Sequence, residues 1–232
     1  MTSRERFFAA MENRGYDRMP VKHYAVAEVD NMLKKHFGFQ TDEELMTYLG
    51  DDFRNVKPVY CGPELECFPD GDLAEGLWGE KYTKINHGNG IYLEATYLPF
   101  AEVEDPEELK GYRWPTADWY SYDTIEAQCL ALPDKVRTLG TTSDPDFING
   151  ISRCRGVEQV LIDLATEDPV LAEIMKKRFE FVYSRNERSL QAAKGMIDVV
   201  CFGEDLGDQR NLILNPKVFD NMFAGYFEKL FA

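Results

Sequence analysis

Apolar residues recur along this chain at two spacings, and each spacing predicts a different backbone structure. In several segments they return every three or four positions, as Phe7, Phe8 and Met11 do, which is typical of a helix that buries one face. Elsewhere they form short, mostly apolar runs, of which 196–202 is the clearest, and such runs predict buried strands. The two kinds of segment follow one another along the chain.

Capping and turn residues set the bounds of these elements. Helices are predicted to begin at the capping boxes Thr2–Glu5 and Thr41–Glu44, to end near Gly38, to cover 122–132 and 157–164, to run from Asp168-Pro169 to Gly195, and to follow Asn215-Pro216 as one last helix. Strands are predicted at 21–26, at 53–60 with an interruption at Pro58, at 135–141 and at 196–202. A hairpin of 81–86 and 91–97 is predicted around His87-Gly88-Asn89-Gly90.

Strands that alternate with helices predict an α/β fold with a mainly parallel sheet. Four principal strands are few for a closed barrel. Neither a linker nor an internal repeat divides the chain, so residues 1–232 are expected to form a single domain. The last predicted helix reaches Ala232 without a capping residue, and we therefore expect the domain to be truncated in its C-terminal part.

The charge of the chain narrows its choice of partners. Its 232 residues carry a formal net charge of −15, which argues against nucleic acid and anionic membrane surfaces, because both attract clustered Lys and Arg. The five cysteines lack the spacing of common zinc sites and are expected to be free thiols in a reducing cytosol. The first residues contain no apolar signal sequence, so a cytoplasmic location is predicted.

The segment 197–210, IDVVCFGEDLGDQR, joins an apolar strand directly to a polar cluster. Side chains just past a strand end are where α/β barrels display catalytic groups, so Asp205 and Glu204 are predicted to be catalytic. Like-charge repulsion between these neighbours can raise the pKa of one carboxyl group. Gln209 both donates and accepts hydrogen bonds and is predicted to bind substrate. The alternative is a solvated loop whose acids pair with Arg210.

Two more residues are predicted to bind substrate. His23 lies on the predicted strand 21–26, where it can contact a ligand or exchange a proton; the alternative is a histidine satisfied by its neighbours at a strand end. Asp52 follows Asp51 at a predicted helix C-terminus. The helix dipole disfavours acids there, which indicates either another purpose or an ordinary turn.

Six segments, in order and spanning nearly the whole chain, carry a family resemblance. They are TSRERFFAAMENRGYDRMPV, LGDDFRNVKPVYCGPEL, LWGEKY with its hairpin, WPTADWYSYDTIEAQ, RGVEQVLIDLATEDPVLAEIM and IDVVCFGEDLGDQRNLILNPKVF. Together they resemble proteins of the uroporphyrinogen decarboxylase superfamily. The resemblance implies a TIM-type (β/α)₈ barrel, of which this chain supplies roughly the N-terminal half plus a β-hairpin insertion, with its active site at the carboxyl ends of the strands.

That superfamily includes tetrapyrrole decarboxylases and methyltransferases that exchange methyl groups with corrinoid proteins or thiols. In the decarboxylases, an Arg-Gln-Ala-Gly-Arg motif after the first strand binds the carboxylates of the substrate. Here Pro20-Val21 is followed by KHYAVA, which has no arginine. The resemblance therefore favours methyl transfer that involves a corrinoid or a small methylated donor and a zinc-activated thiol. Tetrapyrrole decarboxylation is the alternative.

The resemblance also implies cofactors and partners. Zinc ligands of these methyltransferases lie on later strands, so any zinc ligands of this protein are expected beyond Ala232. A small-molecule substrate, a corrinoid protein and a second copy of the chain are the expected partners. A different class of function stays open, because an inactive fragment, or a half-barrel that needs a partner chain, would leave its sheet edges unpaired.

Overall fold

The structure is a computed structural model that describes residues 1–88 and 90–232. Asn89 of the predicted hairpin turn lies outside the described residues. The chain divides into two compact units, each built from three segments. Unit 1 comprises Met1–Pro58, Asp123–Leu139 and Leu190–Val200, and unit 2 comprises Val59–Tyr122, Gly140–Ser189 and Cys201–Ala232.

Helices and strands alternate over most of the described chain. The α-helices are α1 Ser3–Met11, α2 Ala27–Phe37, α3 Asp42–Tyr48, α4 Ile125–Leu130, α5 Phe147–Arg155, α6 Val157–Thr166, α7 Pro169–Ala193, α8 Pro216–Met222 and α9 Ala224–Phe231. The strands are β1 Phe53–Asn55, β2 Val59–Tyr60, β3 Lys81–Asn86, β4 Ile91–Tyr97, β5 Tyr120–Ser121, β6 Val136–Pro145 and β7 Val199–Gly203. Short 3₁₀ helices cover Pro106–Leu109 and Ala117–Trp119.

The main sheet has three strands in the order β1-β6-β7. β1 pairs in parallel with β6, so that Phe53 lies opposite Val136. Further along, Gly140 of β6 approaches Cys201, and Thr142 approaches Gly203 of β7, so β6 and β7 also advance in the same direction. The predicted α/β fold with a parallel sheet is confirmed. Within the described residues this sheet stays open and closes no barrel.

The core of unit 1 takes most of its buried residues from the short helices α1, α3 and α4 and from the first half of β6. Both predicted capping boxes are present, since the Thr2 and Thr41 hydroxyls accept hydrogen bonds from the backbone N–H groups of Glu5 and Glu44. These caps satisfy backbone donors that a helix N-terminus leaves free. The buried apolar residues of this unit are Ala9, Leu45, Val56, Ile125, Cys129, Val136, Leu139 and Ala193.

Unit 2 holds the larger core. Its longest helix, α7, begins as predicted, because the Asp168 carboxylate accepts the N–H group of Val170 at 2.8 Å and Pro169 opens the helix. Buried residues of α7 pack with those of α5 and α6, among them Phe147, Ile151, Leu164, Leu171, Ile174, Met175 and Val182. The antiparallel β3–β4 hairpin also belongs to this unit and is confirmed. No described helix combines the length and the apolar character needed to cross a membrane.

Two sequence predictions of secondary structure are wrong, and one helix was missed. The segment 21–26 forms no strand, because carboxylates of Asp52 and Asp51 accept the N–H groups of Val21 and His23 that a strand would offer to a neighbour. Helix α5 was not expected at all. The last predicted helix is two helices, α8 and α9, which meet at Phe223.

Candidate functional site

Glu204 lies immediately after β7 and caps a helix that is distant in sequence. Its carboxylate accepts the backbone N–H groups of Phe147 at 2.6 Å and Ile148 at 3.0 Å, the first two residues of α5. These N–H groups have no partner within the helix, and the positive end of the helix dipole favours an acceptor there. The carboxyl ends of β6 and β7 therefore meet at the N-terminus of α5, within unit 2.

Burial dominates the electrostatics of this site. Partial burial raises the pKa of Glu204 to about 7, although the two backbone N–H groups and Arg178 act in the opposite direction. Burial also raises the pKa of Asp146, which begins α5 in a left-handed conformation with φ of 50°. Asp146 raises the pKa of Glu204 further through like-charge repulsion. The site thus contains a carboxyl group that titrates near neutral pH.

Like-charge repulsion does raise the pKa of Glu204, but its source is not the neighbour that the sequence indicated. Asp205 is exposed, and its carboxylate accepts a hydrogen bond from the side-chain amide of Asn149 at 2.5 Å. The repulsion on Glu204 comes from Asp146, whereas sequence adjacency had indicated Asp205. The structure nevertheless brings both predicted catalytic residues, Glu204 and Asp205, to the same end of the sheet.

Arg178 of α7 supplies the buried cation of this site. It is only 8% exposed, donates from Nε to the carbonyl oxygen of Pro145 and lies 5.2 Å from the ring centre of Trp78. Burial lowers the pKa of Arg178, yet a guanidinium group stays protonated at neutral pH because its ordinary pKa is above 12. In the sequence, Arg178 continues the helical spacing of the apolar residues Leu171 and Ile174 of α7. A charged residue on this apolar face is the signal that could have identified Arg178 as a buried functional residue.

A groove opens beside Asn149, between β4 and the helices α5 and α6. Its volume is about 560 Å³, and its lining residues are Tyr92, Leu93, Glu94, Ala95, Leu98, Asn149, Ser152, Arg153, Gly156 and Val157. Arg153 and Glu94 are its two charged side chains. Within the described residues, Arg153 forms no ion pair. The groove therefore offers one exposed cation and an apolar floor close to the Asn149–Asp205 contact.

The third predicted residue of this segment, Gln209, lies elsewhere on the same loop. The carboxylate of Asp208 accepts the N–H groups of Arg210 and Asn211, and a bridge between Gly207 and Leu212 closes the loop. Gln209 is exposed in this turn. Its predicted contact with a substrate stays a prediction.

His23 and Asp52 belong to unit 1. His23 is partly buried, and its Nε2 atom lies 2.7 Å from a carboxylate oxygen of Asp30. The Asp52 side chain is fully buried, and its oxygens contact Arg6 at 2.7 Å and Arg18 at 2.7 and 2.9 Å. The two oxygens of Asp52 accept four hydrogen bonds, three of them from guanidinium groups, whereas each oxygen of Glu204 accepts one backbone N–H group. Substrate contact by His23 and Asp52 stays a prediction, and for Asp52 the geometry favours a structural role.

The sequence resemblance implies zinc ligands beyond Ala232, and that expectation stays a prediction. Among the described residues, no His, Cys, Asp and Glu side chains form a group of three or more that could hold a metal ion. Cys154 is buried, and burial raises the pKa of its thiol far above the ordinary value, which disfavours the thiolate that zinc binds. The described residues therefore do not themselves provide a zinc site.

Comparisons of the chain with models of known protein families, with curated proteins and with solved structures each find no match. The resemblance to the uroporphyrinogen decarboxylase superfamily therefore stays a prediction from sequence.

Proposed function

We propose that this chain is an enzyme of the uroporphyrinogen decarboxylase superfamily that transfers a methyl group from a small methylated donor to a thiol or corrinoid acceptor. The observation that supports it most is the Glu204 carboxyl group, which lies at the end of β7 and has a pKa of about 7. At neutral pH such a group is present in both its acidic and its basic form, as a general acid–base catalyst must be.

The proposed chemistry uses the proton of Glu204. The acceptor is a thiolate, whose proton has passed to solvent, or a corrinoid supplied in its reduced cobalt(I) form. Its electron pair forms a bond to the methyl carbon while the bond from that carbon to the donor nitrogen, oxygen or sulfur atom breaks. The electron pair of the broken bond stays on the donor atom. Glu204 gives its proton to that atom and becomes a carboxylate, which the Phe147 and Ile148 N–H groups stabilise. Asp205, held by Asn149, orients the donor.

The groove beside Asn149 favours a small donor over a tetrapyrrole. Its volume of about 560 Å³ lies in the range of ordinary small-molecule sites. A tetrapyrrole with eight carboxylates would require several cations, whereas the groove offers only Arg153 beside the acidic Glu94. The arginine-free segment KHYAVA supports the same choice.

An assay of two reactions tests the proposal. The purified chain is incubated with methylated amines, ethers and thioethers plus a thiol or a free corrinoid chemically reduced to cobalt(I), and the methylated acceptor is measured by mass spectrometry. In parallel, uroporphyrinogen is supplied and loss of CO₂ is measured. We expect methyl transfer, and we expect Glu204→Gln to lower its rate by about 10²–10⁴-fold. The control is Glu158→Gln, which removes an exposed acid of α6 and should leave the rate unchanged.

Each outcome decides between the proposals. Methyl transfer that is equally fast in Glu204→Gln would exclude Glu204 as the acid. Loss of CO₂ from the porphyrinogen would establish decarboxylation, in which the same proton would go to the carbon that loses CO₂. A folded chain that catalyses neither reaction would reject the proposal in favour of an inactive fragment or a half-barrel that needs a partner chain.

A further inference from the structure

Asp146 lies between β6 and α5 in a backbone conformation that residues other than glycine rarely adopt. Its φ of 50° and ψ of 61° are left-handed. An aspartate at the start of a helix ordinarily caps it, because the carboxylate accepts N–H groups of the first turn. Asp146 makes no such cap, and Glu204 accepts the Phe147 and Ile148 N–H groups in its place. The usual structural reason for an aspartate at this position is therefore absent.

The carboxylate of Asp146 is buried without a partner of its own. The residue is 6% exposed, and within the described chain its carboxylate accepts no hydrogen bond and forms no ion pair. The N–H group of Gly150 lies near it, but the hydrogen bond of that group, at 3.0 Å, goes to the Asp146 carbonyl oxygen. Among the described residues, the unpartnered side-chain polar atoms that are shut off from solvent are those of Asn186 alone. The Asp146 oxygens therefore reach solvent, and a ligand can contact them.

Asp146 shares its surroundings with two other carboxyl groups. Like-charge repulsion acts between Asp146 and Glu204, and between Asp146 and Asp205. Arg178 and Arg153 attract the Asp146 carboxylate, but neither forms an ion pair with it, and burial outweighs both in raising its pKa. The ionised carboxylate is therefore disfavoured in the folded protein unless a further cation comes to it.

A carboxylate in this position fits a ligand group that carries both a positive charge and a hydrogen-bond donor. We propose that Asp146 binds the protonated amine of the methyl donor, so that the site takes N-methylated ammonium compounds that keep at least one N–H group. This proposal deepens the proposed function, on which its catalytic meaning rests. A divalent metal ion fits less well, because the described residues provide no group of three or more side chains that could hold one.

A charged nitrogen is compatible with the proposed role of Glu204. When the acceptor's electron pair bonds to the methyl carbon, the carbon–nitrogen bond breaks, and its electron pair stays on the nitrogen and neutralises it. The proton of Glu204 then converts the neutral amine to its ammonium form. Phe147, whose N–H group Glu204 accepts, directly follows Asp146, so the two carboxyl groups lie beside one another.

Two probes of the same shape test the proposal without turnover. N-Methylbenzylammonium carries a charged N–H group, and benzyl methyl ether has a neutral oxygen in its place. Each probe is titrated into the purified chain at pH 7, and binding is followed by NMR through the backbone ¹H and ¹⁵N chemical shifts. We expect the ammonium probe to bind about tenfold more tightly than the ether, and Asp146→Asn to remove that difference. Equal affinity of the two probes for the unchanged protein would overturn the proposal.

The stability of Asp146→Asn separates a binding role from a structural one. Asparagine adopts the left-handed conformation as readily as aspartate, so the backbone is kept. Removal of an unpartnered buried charge should raise the midpoint of thermal unfolding by about 2–4 °C. A lower midpoint would show that the carboxylate stabilises the fold and would contradict the proposal. Asp146→Gly also removes the carboxylate and relieves the left-handed conformation, and it should lose the preference for the ammonium probe in the same way.

The matched control is Glu167→Gln. Glu167 is also an acidic residue with a left-handed backbone, with φ of 53°, but it is exposed and its carboxylate accepts the Asn221 amide at 2.8 Å. This variant should keep the preference for the ammonium probe. A loss of preference as large as that of Asp146→Asn would mean that the net charge of the chain, and not Asp146, attracts the probe.

The remaining outcomes distinguish this proposal from the proposed function. If the ammonium probe binds through Asp146 in a chain that transfers no methyl group, the binding role stands and the proposed function fails. If the chain transfers methyl groups from ethers and binds no ammonium probe, the proposed function stands and the role of Asp146 fails. Mg²⁺ that displaces the ammonium probe, and that no longer binds in Asp146→Asn, would establish a metal site and overturn the proposal.

Discussion

The two units differ in the number of arginines that lie beside each buried carboxyl group. In unit 1, Asp52 is fully buried and contacts two guanidinium groups, those of Arg6 and Arg18. In unit 2, Arg178 is the one buried cation among the described residues that acts on both Asp146 and Glu204. Burial raises the pKa of a carboxyl group in both places, because an ionised group loses its hydration.

The number of donors decides the net direction of the shift. For Asp52, the effect of burial is outweighed by the hydrogen bonds from Arg18 and from the Val21 N–H group, and the net pKa is lowered. For Glu204, burial outweighs the two backbone N–H groups, and the pKa rises to about 7. A fully paired carboxylate is a structural element, whereas an incompletely paired one is a group that can exchange a proton near neutral pH.

The largest expected effect comes from removing the paired carboxylate. Asp52→Asn removes the buried charge between Arg6 and Arg18, although Arg6 keeps its pair with Asp17 and Arg18 is partly exposed, and we expect the free energy of unfolding to fall by about 3 kcal/mol. Urea denaturation followed by circular dichroism measures it. Glu12→Gln, which breaks the exposed Arg14–Glu12 pair, is the control and should cost less than about 1 kcal/mol. Equal losses of unfolding free energy in the two variants would show that burial does not increase the contribution of the Asp52 ion pairs to stability.

The second prediction concerns the opposite pH dependence of the two sites. The lowered pKa of Asp52 means that its stabilising contribution is present above its unfolded pKa and is lost as the pH falls. Glu204 behaves in the reverse way. Its pKa rises from an ordinary 4.5 to about 7, so its protonated form favours the folded state, and stability is lost as the pH rises from about 4.5 to 7.

Glu204→Gln should remove the loss of stability that accompanies a rise in pH from about 4.5 to 7. The variant and the unchanged protein should be similar near pH 4.5, and above pH 7 the variant should be more stable by up to roughly 3 kcal/mol. All three tryptophans, Trp78, Trp114 and Trp119, lie in unit 2, so tryptophan fluorescence during denaturation reports this unit. Asp205→Asn removes an exposed neighbour and serves as the control. A variant that loses stability with pH as steeply as the unchanged protein would place the titrating group elsewhere.

Sequence reasoning worked best where the signal is local. The capping boxes at Thr2 and Thr41 involve residues three positions apart, and both are present. The position of Glu204 at a strand end also followed from a local boundary between apolar and polar residues. These features depend on backbone donors and apolar runs that can be read within a few residues.

Distant interactions account for the failures. Helix α5 contains Asn149 and Gly150, which favour turns, and its N-terminus is capped by Glu204, which is 57 residues from Phe147. The segment 21–26 is sufficiently apolar for a strand, but carboxylates 28 and 31 residues away accept its N–H groups. The cation beside Glu204 was missed for the same reason, because the sequence does not show which carboxylates surround Arg178.

The smallest expected effect tests whether Asp198 needs both of its arginines to remain ionised in the folded protein. Asp198 is buried and is held by Arg137, which contacts both carboxylate oxygens, and by the more exposed Arg4 at 2.9 Å. Arg4→Gln should cost less than about 1 kcal/mol in urea denaturation, because Arg137 still neutralises the carboxylate and an exposed ion pair contributes little. The lowered pKa of Asp198 should persist, so its own contribution to stability should still be lost only on acidification, and the dependence caused by Glu204 should match that of the unchanged protein. If Arg4→Gln instead made the fall of stability between pH 4.5 and 7 steeper than in the unchanged protein, Asp198 would have become a carboxyl group like Glu204, and the number of arginines alone would separate the two sites.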